Sequence, residues 1–93
     1  MTTYPLTVPQ AVAVADVLSR SALGTCAGID GRVALGDGVL MVSPHGWSWS
    51  SGELVLLAVL VHIAGDGPLP DLARLDEDNQ AVVREALAGL VAA

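Results

Sequence analysis

The chain has 93 residues, of which 53% are hydrophobic and 15% are charged, and ten acidic residues against four basic ones give a net charge of −6. A length of this order suits one domain, and so apolar a composition excludes an intrinsically disordered chain. The four basic residues are arginines scattered along the sequence, so the clustered positive charge that binds nucleic acid or an anionic membrane surface is missing. We expect neither a nucleic acid nor a membrane as a partner.

The cysteine content, the N-terminal segment and the length of the apolar run predict where in the cell the protein is found. A single cysteine, Cys26, excludes an internal disulfide and gives no sign of an oxidising compartment. The N-terminal MTTYPLTVPQ lacks the basic start and apolar run of a signal peptide. The apolar run from Leu54 to Ala64 would reach only about 16 Å as a helix, which is too short for a bilayer core. We therefore expect a soluble, cytoplasmic protein.

The first predicted element is a helix over residues 7–23, preceded by a loose lead-in at residues 1–6. Thr7 and Gln10 match a capping box, in which each side chain bonds to the backbone amide of the other residue. Gly24 supplies a C-terminal stop. The apolar residues of this segment fall on one helical face, at Val8, Ala11, Val12, Ala15, Leu18 and Ala22.

Residues 25–49 change to short extended runs and predict an antiparallel β-meander of three or four strands. Asp30-Gly31 and Asp37-Gly38 are dipeptides that close hairpins, because glycine accepts a positive φ without a steric clash. An isolated hairpin is marginal in water, so the meander needs a helix on one face. The strands are placed at residues 25–29, 32–35, 39–42 and 46–49.

Two further helices are predicted after the meander. An apolar central helix over residues 51–64 follows the capping-box sequence Ser50-Ser51-Gly52-Glu53 and stops at Gly65. Residues 65–75 then form a stiff turn and a short helical segment. An amphipathic C-terminal helix over residues 76–91 completes an α+β fold within a single domain. Asp76 caps this helix, and its apolar stripe consists of Val82, Val83, Ala86, Leu87, Leu90 and Val91.

The central helix is apolar around most of its circumference and must be enclosed. Leu54, Leu57, Ala58 and Val61 mark one side, whereas Val55, Val59, Leu60 and Ile63 cover much of the rest. Either the remaining chain encloses the helix, or its exposed part is a dimer or partner surface. So small a domain cannot bury all of its Leu, Val and Ala, which predicts a homodimer.

The tryptophans carry the same two alternatives. On a strand the side chains of Trp47 and Trp49 share a face, so they either close the core or form an anchor pair at an interface. A histidine in an apolar helix usually bonds to a backbone carbonyl or to a partner chain. The partner-binding surface is predicted at Trp47, Trp49, Val55, Val59 and His62.

Catalytic, cofactor and metal sites are not indicated by any motif. One stretch resembles a nucleophile elbow but lacks its last glycine: Gly46-Trp47-Ser48-Trp49-Ser50. The alternative is that Ser50 or Ser51 caps a helix. His45 and His62, even with Cys26, lack the ligand spacing of a zinc site. We expect a non-enzymatic protein-binding module. The alternatives are a small hydrolase using Ser50 or Ser51 with a histidine, and a structural subunit of a larger assembly.

The sequence resembles small uncharacterised proteins of high-GC actinobacteria and their bacteriophages in two stretches, WSSGE at residues 49–53 and LDEDNQAVVREAL at residues 75–87. The composition, without lysine or phenylalanine, is compatible with a GC-rich genome. The resemblance implies a compact accessory protein, in some cases phage-encoded, that binds a host protein and alters its activity. It implies no catalytic motif and no cofactor.

Overall fold

The chain folds as a small α+β structure, as the sequence predicts. The computed structural model describes residues 2–21, 33–42 and 51–92. Within these ranges three α-helices accompany a three-stranded antiparallel sheet. In chain order the elements are β1 (Thr2–Pro5), α1 (Val8–Arg20), β2 (Val33–Gly36), β3 (Val39–Val42), α2 (Ser51–Ile63), a 3₁₀ turn (Leu72–Arg74) and α3 (Glu77–Ala92).

The hairpin between β2 and β3 closes at the dipeptide that the sequence singles out. Asp37 and Gly38 have φ angles of 55° and 73°. A two-residue turn with positive φ at both positions is type I′, whose twist matches that of the strands it joins. Gly36 pairs with Val39 immediately outside the turn, so the turn fixes the register of the whole hairpin.

The third strand comes from the N-terminus, which corrects the lead-in predicted at residues 1–6. β1 pairs antiparallel with β3, and the strand order is β1-β3-β2. The Leu6 amide donates to the Gly38 carbonyl at 2.8 Å, and hydrogen-bonded pairs alternate along an antiparallel ladder. The nitrogen of Pro5 therefore faces away from β3, where no ladder bond is lost. Strands predicted at residues 25–29 and 46–49 lie outside the described residues.

α1 begins as predicted but buries a different face. The Thr7 amide donates to Gln10 Oε1 at 2.8 Å, and the Gln10 amide donates to Thr7 Oγ1 at 3.3 Å. Val8 and Val12, from the apolar face read in the sequence, are 79% and 63% exposed. Apolar residues occupy both sides of α1, so their spacing cannot decide which side turns inward. The buried residues are Ala13, Val14, Val17 and Leu18.

The hydrophobic core draws on all three helices and on two strands of the described chain. α1 contacts α2, α3, β2 and β3, and therefore lies between the other elements. Before α3, Asp76 Oδ1 accepts the Asn79 amide at 2.8 Å, which is the predicted cap. The largest fully buried side chains are Leu40 of β3, Leu56, Leu60, Ile63 and Val59 of α2, Val14 and Val17 of α1, Val33 of β2 and Val83 of α3.

Replacing Gly38 by alanine tests the hairpin turn. An alanine held at a positive φ costs about 1–2 kcal/mol, so Gly38→Ala is expected to lower the free energy of unfolding by that amount. Gly36→Ala is the matched control, because a Cβ there meets open space and no positive φ is required. Urea denaturation of both variants measures the difference. Equal stabilities would contradict the type I′ assignment.

Candidate functional site

α2 is apolar on two opposite faces. Its inward face consists of Val55, Leu56, Val59, Leu60 and Ile63, all of them buried. A second stripe, spaced i, i+3, i+4 and i+7, consists of Leu54, Leu57, Ala58 and Val61. With about 100° of rotation per residue, the two stripes point about 180° apart. The core takes most of its α2 contacts from the inward face. On the second, outward stripe Leu54 is exposed, Leu57, Ala58 and Val61 are half-buried, and Leu57 also packs against the core.

The outward stripe forms one wall and the floor of an open groove. The opposite wall is the segment that follows α2 and returns beside it. Leu54 is 51% exposed although it is a large apolar residue. The groove has a volume of about 420 Å³. We call it the α2 groove, and its lining residues are Leu54, Leu57, Ala58, Val61, Asp66, Gly67, Pro68 and Pro70.

A Schellman motif turns the chain back at the end of α2. Gly65 has a φ of 85°, its amide donates to the His62 carbonyl at 2.9 Å, and the Asp66 amide donates to the Val61 carbonyl at 3.1 Å. These two bonds define the motif and require a left-handed residue at its centre, which glycine supplies without strain. The reversal places residues 66–70 beside the outward stripe.

His62 fixes the returning wall. Its Nδ1 lies 2.9 Å from the Gly67 carbonyl oxygen. A carbonyl oxygen can only accept, so Nδ1 carries the proton and donates. The bond ties the last turn of α2 to the wall, and a Cβ built on Gly67 would lie 3.5 Å from Val61 Cγ1, at ordinary van der Waals distance. The wall therefore packs against α2 and is hydrogen-bonded to it.

The groove is apolar except at one end. Among the described residues that line it, Asp66 alone is ionisable. Asp66 is exposed, and within the described chain no cation forms a salt bridge with its carboxylate. Asp71, nearby in sequence, instead uses its Oδ1 to accept the Ala73 amide at 3.0 Å. One carboxylate, which has no cationic partner among the described residues, thus lies at the C-terminal end of an aliphatic surface.

The predicted partner-binding residues separate into three groups. Trp47 and Trp49 lie outside the described residues. Val55 and Val59 are 7% and 0% exposed and belong to the core, so their side chains are inaccessible to a partner. His62 is half-buried and supports the groove wall. The accessible apolar residues of α2 are those of the opposite stripe, and the spacing that separates the two stripes was visible in the sequence.

A smaller apolar groove lies between α1 and α3, with a volume of about 290 Å³. At its edge Arg20 contacts Glu85 at 2.6 Å and Asp16 at 3.7 Å. The hydrogen bond to Glu85, and then its charge, raise the pKa of Arg20. Both acids of this groove are therefore paired, unlike Asp66. We call it the α1–α3 groove, and its lining residues are Val8, Pro9, Val12, Ala13, Asp16, Glu85, Ala86, Gly89 and Leu90.

Within the described ranges, no group of three His, Cys, Asp or Glu side chains could hold a metal ion. No helix in the same part of the chain is both long enough and apolar enough to cross a membrane. Cys26, His45 and Ser50 lie outside the described residues. No protein-family model matches the chain, and no curated protein or solved structure matches it. Function is therefore inferred from the grooves themselves.

Two truncations on α2 test its division into an inward and an outward face. Leu60 is fully buried, and removal of such a side chain costs about 2–5 kcal/mol. Leu60→Ala is expected to lose stability within that range. Leu54→Ala, the same change on the outward stripe, is expected to lose less than about 1 kcal/mol, since alanine also favours the helix. Urea denaturation measures both, and similar losses would contradict the assignment of faces.

A pair of substitutions at His62 tests the support of the wall. His62→Asn can present an amide nitrogen near the position of Nδ1, whereas His62→Leu, of similar shape, cannot donate. Loss of the bond to Gly67 is expected to cost about 1 kcal/mol. Hydrogen exchange of the Gly65 and Asp66 amides should then be about fivefold faster in His62→Leu than in the wild type. Equal exchange in the two variants would show that the hydrogen bond does not hold the turn.

Proposed function

We propose that this protein is a non-enzymatic protein-binding module that holds an apolar segment of a partner in the α2 groove. The observation that carries the proposal is the second apolar face of α2, which the rest of the described chain covers only in part and which leaves Leu54 51% exposed. Exposed aliphatic surface of this kind is typical of protein interaction sites. On a chain with ten acidic residues, such a surface is chemically distinct from its surroundings.

The dimensions of the groove suit a helix. The stripe from Leu54 to Val61 covers two helical turns, or about 10.5 Å. The volume of about 420 Å³ is large enough for several aliphatic side chains. Ala58 lies between the larger Leu54 and Val61, which leaves a depression in the middle of the stripe. A partner helix with apolar residues at i, i+3 or i+4, and i+7 would match this profile.

The groove is also pre-formed, which favours binding. One wall is a helix whose other face is buried in the core. The opposite wall is restrained by the Gly65 motif, by the His62 hydrogen bond and by Pro68 and Pro70, whose φ angles are fixed. A surface already in its bound shape loses little conformational entropy when a partner arrives.

The resemblance to accessory proteins of actinobacteria and their phages suggests how such a module would act. By occupying a segment of a host protein, it would alter the activity of that protein without chemistry of its own. We propose a phage-encoded modulator as the specific form of this function. The hydrolase alternative makes a different prediction: a serine-reactive probe would label the wild type and not Ser50→Ala.

A matched pair of variants tests the module. Leu54→Glu places a charge in the α2 groove, and Val8→Glu places one in the α1–α3 groove. Both residues are exposed and lie in the first turn of a helix, where a carboxylate is favourable, so both variants should fold. A partner captured from an actinobacterial lysate, then purified, should bind Leu54→Glu at least about tenfold more weakly. Val8→Glu should bind it like the wild type.

Isothermal titration calorimetry with the purified partner measures both affinities, and circular dichroism confirms that both variants are folded. If Leu54→Glu bound as tightly as the wild type, the α2 groove would be excluded as the binding site. Loss of binding in Val8→Glu alone would move the site to the α1–α3 groove.

A further inference from the structure

We infer that the α2 groove selects a basic partner segment: an apolar helix with a lysine or arginine at the end that lies beside Asp66. This inference rests on the proposed function, and it adds the charge of the partner to the shape of the groove. It follows from three electrostatic features of the same end of the groove.

The first feature is the Asp66 carboxylate. It is the ionisable group among the described lining residues, and it forms no salt bridge within the described chain. The other residues that line the groove are aliphatic residues, prolines and Gly67. A partner that covers the groove would partly remove this carboxylate from water, which is unfavourable unless the partner brings a cation.

The second feature is the direction of α2. Asp66 follows the C-terminal end of that helix, where the carbonyl groups give the helix dipole its negative pole. The Schellman bonds satisfy the carbonyls of Val61 and His62, but the dipole of the helix remains. The carboxylate and the helix terminus therefore favour positive charge at the same end of the groove.

The third feature is the charge of the surrounding chain. Residues 51–92 contain seven acids and two arginines, a net charge of −5. Arg84, one of the two, donates to Gln80 Oε1 at 3.1 Å on α3. An acidic segment would be repelled from this region, and a basic one would be attracted over about one Debye length.

The same charges disfavour a second copy of this chain as the occupant. Each copy carries a net charge of −6, and an α2-to-α2 contact would bring two acidic surfaces together. Like charges brought together at an interface are destabilising. The structure thus favours a basic heterologous partner over self-association at this groove.

Three synthetic peptides of about 15 residues test the inference, a length at which a helix begins to be stable alone. They share leucines at i, i+3, i+4 and i+7, and their remaining positions are lysine-rich, glutamine-rich or glutamate-rich. Each is titrated into ¹⁵N-labelled protein. The lysine-rich peptide should shift the NMR resonances of the Leu54, Val61 and Gly67 amides. It should also bind at least about tenfold more tightly than the glutamate-rich peptide.

Charge-matched variants separate the effect of Asp66 from that of net charge. Asp66→Asn and Asp78→Asn each remove one negative charge, and Asp78 is exposed on α3 outside the lining of the groove. Asp66→Asn should lower the affinity for the lysine-rich peptide about threefold, as expected for loss of a partly exposed ion pair. It should also reduce the salt dependence of binding. Asp78→Asn should leave the affinity within experimental error.

The possible outcomes distinguish failure of the charge inference from failure of the proposed function. If the glutamine-rich and glutamate-rich peptides shift the groove amides and bind as tightly as the lysine-rich one, the groove binds helices but does not select charge, and the inference is wrong. Equal effects of Asp66→Asn and Asp78→Asn would have the same meaning. If no peptide shifts the groove amides at saturation, the proposed function fails as well. If the NMR resonances of the groove amides shift when the protein is diluted without peptide, a second copy is the occupant and the inference is wrong.

Discussion

Burial of one face of α2 is the interaction on which the described structure depends. Leu56, Val59 and Leu60 are completely buried there, and α1 contacts α2 from within the core. Burying three such side chains contributes several kcal/mol, at about 1.5–3 kcal/mol for each. This burial also fixes the rotation of the helix about its own axis. The outward position of Leu54 and Val61 is therefore a direct result of how the opposite side packs.

The groove follows from that rotation together with the chain reversal after it. A helix with a single apolar stripe would present a polar surface at this position, and the returning segment would have little to pack against. Because α2 is apolar on both faces, residues 66–70 can line the groove beside Val61 while Leu54 remains exposed. Local bonds at Gly65 and His62 link this segment to the end of α2.

Local patterns in the sequence predicted the local features well. The capping box at Thr7 and Gln10 and the turn at Asp37 and Gly38 depend on neighbouring residues only, and both are present. The spacing of apolar residues also separated the two stripes of α2. It could not tell which stripe faces inward, because that depends on α1 and the sheet, and so it did not place Val55 and Val59 in the core.

Two other features are not indicated by a sequence pattern. The strand at Thr2–Pro5 is too short for a periodic pattern and is defined by its pairing with β3. For the groove wall at residues 66–70 the sequence predicts a stiff turn, which describes its backbone but not its position. That position depends on His62 Nδ1 reaching the Gly67 carbonyl, a contact that composition and periodicity do not reveal.

The pairing of β1 with β3 has a consequence for synthesis of the chain on the ribosome. Thr2 pairs with Val42, so β1 cannot pair with β3 until some forty further residues have been translated. The hairpin of β2 and β3, in contrast, can close as soon as Val42 emerges. Local pairs form faster than distant ones, and so the N-terminal strand should join a hairpin that is already formed.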